Sequence, residues 1–469
     1  MNWIQFTAVT SFGFTASSVG IWFVVRLGVT RAIAATLALS AAVVEELHAS
    51  GRNAAEGVLE APTLVSLGHQ LHSAQIFRVS LLTLIAIAAT PLLATMRAGK
   101  KFPVSYFCPV GALIIGAGLS GLASGGMRSS EKAIIPPLLI VAGMLVGKHV
   151  RDIDHKMLSI ALFALMAYKA AVAVLVMAGL GARGPRFVLY YDAVTPSLAA
   201  AILLAVFLRQ HWGRLEIGLG LAAGVVLLLS PRRTPVFALL ITGLLLIVLT
   251  RRKRVLRRSV VSGGIMAICV VFSSALPDNL RIRLKGGIAV LTGASHEDSA
   301  AGHFGDLHRG YELGITGPLF GLGPDSPQPS GLAASDAHAL YVHDEFLHVW
   351  VGRGILAALA LCVLVLMSTI HAMRATSKVS PSQASLTETT AVCFLLQMPI
   401  ILTFFPYLST TTRWPLVYGI ALAVAARTRR MFLPRRRAET TDEAQRPEIM
   451  TSVPHGIRLV TKESPQQIV

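Results

Sequence analysis

Three short stretches of this chain carry residue types able to hold an anion and to move a proton. Arg232 and Arg233 lie in a six-residue polar hinge, Ser230-Pro231-Arg232-Arg233-Thr234-Pro235, between two apolar runs. A guanidinium stays protonated and offers a planar fork suited to bidentate binding of phosphate. Arg309 opens the stretch Arg-Gly-Tyr-Glu-Leu-Gly-Ile-Thr-Gly-Pro-Leu-Phe-Gly-Leu-Gly-Pro-Asp, which ends at Asp325. Within it, Gly321 and Gly323 allow a tight turn and a close approach of backbone N–H groups to a ligand. Turn geometry alone accounts equally well for such a glycine pair. His343 begins His343-Asp344-Glu345-Phe346-Leu347. A neutral imidazole is a competent general base near neutral pH. Taken alone, the histidine reads as well as a polar cap, and the arginines as interfacial anchors. His338 and His348 lie five residues to either side of His343, a spacing that suits neither i,i+3 nor i,i+4 metal ligands on a helix. Lys169 and Asp192 interrupt apolar runs, and either pair with each other or line a cavity.

These residues are set around a long polar segment, 276–341, flanked on both sides by apolar sequence. Structureless loops beyond ~12–15 residues are uncommon and usually functional. The chain has 469 residues, of which 54% are hydrophobic and only 14% charged, with a mean hydropathy of +0.64. Soluble domains average ~25% charged residues, so the deficit points to lipid exposure. Cys108, Cys269, Cys362 and Cys393 each sit alone in an apolar run, which excludes a disulfide framework or a zinc-ligand spacing. The net charge of +18 is gathered in short breaks. They are Arg97 to Lys101, then Arg251, Arg252, Lys253 and Arg254 with Arg257 and Arg258, then Arg427 to Arg437. That is the pattern of positive-inside anchors, and it argues against a nucleic-acid partner.

Apolar runs recur at 79–96, 104–127, 133–147, 157–182, 189–208, 215–230, 235–250, 259–277, 354–370, 389–412 and 414–426. With 1–25 and the short run 32–44, they give about 12 or 13 spans, judged against the ~17–25 residues a helix needs. The first charge is Arg26, so the basic start of a signal peptide is not evident. Placing Arg251 to Arg258 in the cytoplasm puts the loop after residue 277 outside, together with the Arg232-Arg233 hinge. Two arginines on the face where positives are rare suggest an anionic partner there. The expected organisation is N-terminal transmembrane helices over 1–276, an outer loop over 277–342, C-terminal helices over 343–429 and a polar cytoplasmic tail over 430–469. On the re-entering helix, Leu347, Trp350 and Gly354 share the face of His343.

Taken together these motifs resemble a known family. Leu227-Leu228-Leu229-Ser230-Pro231-Arg232-Arg233-Thr234 ahead of an apolar helix resembles the Ser-Arg-Thr/Gly motif of the O-antigen ligase and O-antigen (exopolysaccharide) polymerase superfamily. Arg309, followed by Pro318-Leu319-Phe320-Gly321-Leu322-Gly323, resembles its Arg and Pro-Leu-Phe-Gly-Val-Gly segment in the large periplasmic loop. His343-Asp344-Glu345-Phe346-Leu347, with Gly354 eleven residues after the histidine, resembles its His-Asn-x-x-Leu re-entry motif. The resemblance covers residues 215–370; Asp344 stands for the usual Asn and Ala357 for the usual second Gly.

The resemblance implies an all-α, polytopic, glycosyltransferase-C-like bundle in the bacterial inner membrane, active on its periplasmic face. It implies transfer of a glycan from undecaprenyl diphosphate to a hydroxyl of a glycan, lipid A-core or protein acceptor, with inversion and with no metal or cofactor. His343 would be the base. Arg233 and Arg309, with Arg232 beside them, would bind the diphosphate, and Gly321 and Gly323 would support the loop. A lipid-linked glycan flippase or secondary transporter is the competing class. It requires midplane charges and inverted repeats, for which Lys169 and Asp192 are the sole support.

Overall fold

The computed structural model describes residues 25–43, 75–76, 79–95, 104–125, 127–151, 153–180, 194–209, 212–230, 233–250, 298–324, 342–378, 385–411 and 413–430. The expected spans at 1–25 and 259–277, the basic breaks at 97–101 and 251–258, most of the polar loop, Arg232 and Asp192 lie outside these residues. Residues Met1–Phe432 form one compact unit, and a second, Leu433–Val469, lies outside the described residues.

The described chain is helical almost throughout. Its helices are α1 (Val29–Val43), α2 (Leu81–Thr95), α3 (Phe107–Gly125), α4 (Met127–Val150), α5 (His155–Leu180), α6 (Val194–Leu208) and α7 (Arg214–Leu229). They continue as α8 (Arg233–Thr250), α9 (Asp298–Thr316), α10 (Glu345–Lys378), α11 (Leu386–Phe404), α12 (Tyr407–Thr410) and α13 (Arg413–Arg430). The sheet content of the described residues is one antiparallel pair, β1 (Gln75–Ile76) with β2 (Val79–Ser80), in which Gln75 faces Ser80. Stretches of α3, α4, α10 and α11 are long and apolar enough to cross a bilayer, and α1, α2, α6, α8 and α13 carry shorter apolar stretches. The protein is an all-α, multi-pass membrane protein. Helices suit that environment because every backbone donor and acceptor is paired within the segment.

Apolar side chains gain little by leaving lipid for protein, so these helices are held by close backbone approach and by polar contacts. The α4–α13 crossing shows how. A methyl group added at Gly143 would come 2.1 Å from the Leu416 carbonyl oxygen, and one at Gly147 would come 2.7 Å from that of Ile420. Gly419 answers from α13, where a methyl group would meet the Ile140 carbonyl oxygen at 2.2 Å. The α3–α10 crossing uses the same device. Ala357 is fully buried against Gly116, whose added methyl would meet the Ala357 nitrogen at 2.9 Å. The glycine on α3 lets an alanine stand on α10 where the resemblance leads one to expect glycine.

Polar anchoring is concentrated between α11 and α13. Phe405, Tyr407 and Trp414 stack in series at ring separations of 4.6 and 4.8 Å, and Phe394 stacks beneath Trp414 at 5.6 Å. The buried Arg413 donates from Nε to the Ala41 carbonyl at 2.7 Å, tying α13 to the end of α1. This rigid turn is the platform for the candidate site.

Candidate functional site

The site is built around the start of α10. Asp344 caps that helix: its Oδ1 accepts the Leu347 backbone N–H at 2.8 Å, which satisfies a donor that the first turn leaves unpaired. Asn and Asp are both strong caps, so the departure from the family's Asn keeps the local chemistry. Burial pushes the Asp344 carboxyl up to about 6, against the opposing effect of hydrogen bonds from the Leu347 and Phe346 backbone. The cap fixes where the chain enters the helix, and with it His343. The half-buried imidazole packs edge-on against Phe405, with ring centroids 5.5 Å apart and an interplanar angle of 84°.

α9 docks against Val342, Leu347 and Trp350. Gly310 and Gly314 of α9 make the close approach. A methyl group at Gly310 would lie 2.8 Å from Val342 and 3.3 Å from Leu347, and one at Gly314 would lie 2.8 Å from the Trp350 ring. Tyr311 adds an edge contact to Trp350 at 6.1 Å. Arg309 therefore precedes a glycine that touches the residue next to His343. Its guanidinium is about half exposed and bonds Glu312 at 3.2 Å, while His308 approaches the other oxygen of Glu312 at 3.2 Å. Exposed pairs of this kind are worth ~0–1 kcal/mol.

Gly321 and Gly323 have positive φ, +78° and +104°, and so does Gly354 within α10, at +83°. Gly354 has non-helical torsions and breaks α10 after Arg353. The break frees carbonyls that the segment after α9 then takes. Leu322 N–H donates to Val351 O at 2.7 Å, Gly323 N–H to Gly352 O at 3.0 Å, and in return Ile355 N–H donates to Leu319 O at 3.2 Å. Gly352 O also accepts from Ser120 Oγ of α3 at 3.0 Å. An added methyl at Gly321 would lie 2.5 Å from the Gly354 nitrogen, and one at Gly354 would lie 2.5 Å from Leu319 O. Close backbone approach to a ligand is thus not the use of these glycines. Gly321 donates within its own turn, to Pro318 O at 2.8 Å, and Gly323 to α10. Turn geometry and backbone-to-backbone docking account for both.

Arg233 is the first residue of α8. One turn on, Phe237 meets Phe404 at 5.7 Å, and Phe404 immediately precedes the Phe405 that supports His343. The start of α8, the middle of α9 and the start of α10 are therefore linked through Phe404, Phe405 and Val342. Lys169, on α5, is buried, and its suggested partner Asp192 lies outside the described residues. Among the described residues, no group of three or more His, Cys, Asp or Glu gathers closely enough to hold a metal ion.

Glu345 and Arg353 form a feature the motifs did not single out. Both are buried, and with Val349 they share one flank of α10. One Glu345 oxygen accepts the Leu408 N–H at 2.7 Å and the other accepts the Ser409 hydroxyl. Arg353 reaches the Ser409 carbonyl at 3.4 Å. They clamp the α11–α13 turn from behind, and a small cavity lined also by Leu113, Pro137 and Leu361 lies beside them. The sequence signal was available: an acid and a base two helical turns apart at the head of an otherwise apolar helix.

Residues 217–362 match the family model described as O-Antigen ligase. No curated protein matches the chain at a significant level. The matched stretch holds Arg233, Arg309, Gly321, Gly323 and His343, and with them α8, α9, the docked glycine segment and the broken head of α10. The protein is a multi-pass membrane protein whose residues 217–362 are similar to the O-antigen ligase family.

Proposed function

We propose that this protein is a metal-independent, inverting glycosyltransferase that moves a glycan from undecaprenyl diphosphate to an acceptor hydroxyl. The reaction takes place at the periplasmic face of a bacterial inner membrane. The observation that carries this reading is the linkage of three remote segments of the matched domain at one end of the bundle: the α8 start, α9 around Gly310, and the capped α10 start.

Arg233 and Arg309, with Arg232 in the same hinge, bind the donor diphosphate and offset the charge that grows on it as the sugar–phosphate bond breaks. The first turn of α8 adds the positive end of a helix dipole, favourable to an anion. Arginine stays charged throughout, so its role needs no proton transfer. His343 accepts the acceptor hydroxyl's proton as that oxygen forms its bond to the anomeric carbon. The oxygen of the diphosphate leaves with the electron pair, from the opposite side, and a single displacement inverts the centre. Phe405 packs against the imidazole, with ring centroids 5.5 Å apart and ring planes at 84°.

The test uses purified protein in lipid vesicles with undecaprenyl-diphosphate-linked glycan and acceptor, reading free undecaprenyl diphosphate. The parent is expected to release it, and His343→Ala to slow release by about 100-fold or more, the usual weight of a general base. Unchanged release by His343→Ala would refute the role. In cells, loss of a polymerase leaves single repeat units on the acceptor, whereas loss of a ligase leaves long chains on the lipid carrier.

A further inference from the structure

The outward side of α9 is divided lengthwise. Tyr311 and Ile315, one turn apart, are 53% and 57% exposed, and Leu319 and Phe320 just beyond the helix are 67% and 39% exposed. The neighbouring flank is polar: Arg309 pairs with Glu312, and Thr316 donates to the Glu312 carbonyl at 2.8 Å. The third side, Gly310 and Gly314, is taken up by α10. An amphipathic helix with one flank packed, one polar and one apolar and bare needs an apolar neighbour for the third.

The apolar flank is continuous with a span. The Ile355 N–H donates to Leu319 O at 3.2 Å, so the backbone of the exposed Leu319 lies against α10 at the residue before the exposed Leu356. From Leu356 an exposed stripe runs down α10 through Leu359, Val363 and Leu366. On a membrane-spanning helix that stripe faces lipid. The level of the bilayer surface follows from the break at Gly354. Residues 355–373 carry no Asp, Glu, Lys or Arg, whereas Glu345 and Arg353 precede the break and Arg374 and Lys378 close the helix. At ~1.5 Å per residue the part after the break is ~36 Å long, enough to cross the ~30 Å hydrocarbon layer alone. The docked segment can sit at that boundary because its Leu322 and Gly323 N–H groups are paired with α10.

We propose that α9 and the Pro318–Gly323 segment form an interfacial element. Tyr311, Ile315, Leu319 and Phe320 are immersed among phospholipid chains, at the bilayer surface where α10 begins. Interfacial helices bury an apolar face ~5–10 Å deep and leave their polar face at headgroup level, and tyrosine is favoured at such boundaries. A protein partner is the weaker occupant, since the patch does not end at an edge but runs on into the lipid-facing stripe of α10. Arg309, on the polar flank, then lies at the height of lipid phosphates. Taken with the proposed transfer reaction, it meets a diphosphate whose polyprenyl tail has not left the bilayer. That consequence rests on the transferase reading, while the immersion does not.

The experiment places single cysteines at Tyr311, Ile315 and Leu319, at His308 and Thr316, and at Leu356 as a span reference. The background has Cys108, Cys269, Cys362 and Cys393 replaced by serine. Each variant carries a nitroxide label and is reconstituted in phosphatidylethanolamine–phosphatidylglycerol vesicles. Relaxation by oxygen is compared with relaxation by an aqueous nickel chelate. Positions 311, 315 and 319 are expected to resemble 356, with oxygen favoured several-fold over nickel, and 308 and 316 the reverse. Nickel access at 311, 315 and 319 equal to that at 308 would overturn the proposal in favour of water. Exclusion of both reagents would overturn it in favour of a protein partner or a second copy. Unaltered protein provides a check without substitutions: a bilayer-soluble diazirine should label the 311–320 peptide as it labels 355–373, and failure to do so counts equally against immersion. Transferase activity is not read in either measurement, so their failure and that of the catalytic reading are separable.

Discussion

His343 is held by two local devices, a cap one residue on and an aromatic edge across the bundle. The cap is the more testable. The Asp344 carboxyl is raised from 3.8 to about 6 by burial. The folded chain therefore holds this proton more tightly than the unfolded one. The stability it contributes is complete below the unfolded value and is lost as pH rises through about 6. Asp344→Asn keeps an oxygen acceptor for Leu347 and never ionises. It should be more stable than the parent by about 3 kcal/mol at neutral pH, a gap that closes as pH falls to about 4. Melting temperatures of detergent-solubilised protein across that range check this, and a gap independent of pH would contradict it. At this scale the sequence was partly legible. The order of Arg233, Arg309 and His343 along the chain is read from residue type, whereas the motifs do not single out the Asp344 cap. The contact between His343 and Phe405 does not, since it joins residues brought together only by the α11–α13 turn.

The decisive element is the broken head of α10 with the glycine segment laid across it. Gly354→Ala must adopt a positive φ that costs ~1–2 kcal/mol for a side-chain-bearing residue, and it must also displace Leu319 O. We expect a loss of about 3 kcal/mol in stability. Gly224→Ala, where an added methyl meets nothing within 4 Å, should be neutral or gain up to ~1 kcal/mol from helix propensity. Thermal unfolding by size-exclusion recovery distinguishes them, and equal behaviour would show the docking to be dispensable. Glu345→Ala removes the acceptor for Leu408 N–H and the Ser409 hydroxyl. It should cost about 3 kcal/mol, with Glu345→Gln losing less because one acceptor survives. Equal losses in the same assay would mean that the clamp contributes through charge alone. The shared face of Leu347 and Trp350 was legible from helical periodicity, whereas His343 precedes α10 and Gly354 breaks it. The docking of Gly321 and Gly323 was not, because the carbonyls they approach are freed only by a break that the apolar run conceals. Arg353 escaped notice, and Glu345 stood out only as part of the His343 motif, for a similar reason. At the end of an apolar run, charged residues look like solvated flanks.

Across the whole molecule, the apolar runs located the described helices well. The runs at 215–230 and 235–250 correspond to α7 and α8, and 157–182 to α5. Their lengths carry the information, since a bilayer demands ~20 apolar residues whatever their order. The start of the re-entering helix was legible at about 343–345, where α10 begins, but its end was not, because the helix continues through polar residues to Lys378. Packing was less visible. The glycines at 116, 143, 147 and 419 are scattered in sequence and acquire meaning only as facing pairs. The reach of the site across α8, α9 and α10 likewise depends on how those helices cross.

The central claim is that the arginines and His343 serve one reaction in different roles. Steady-state release of undecaprenyl diphosphate should be measured for the parent, Arg233→Ala, Arg309→Ala and His343→Ala. The account predicts that the arginine variants raise KM for the lipid-linked donor and lower kcat, because they touch a group that is bound before it leaves. It predicts that His343→Ala lowers kcat by ~100-fold or more with KM for the donor nearly unchanged. Donor KM and kcat within twofold of the parent in all three variants would contradict it.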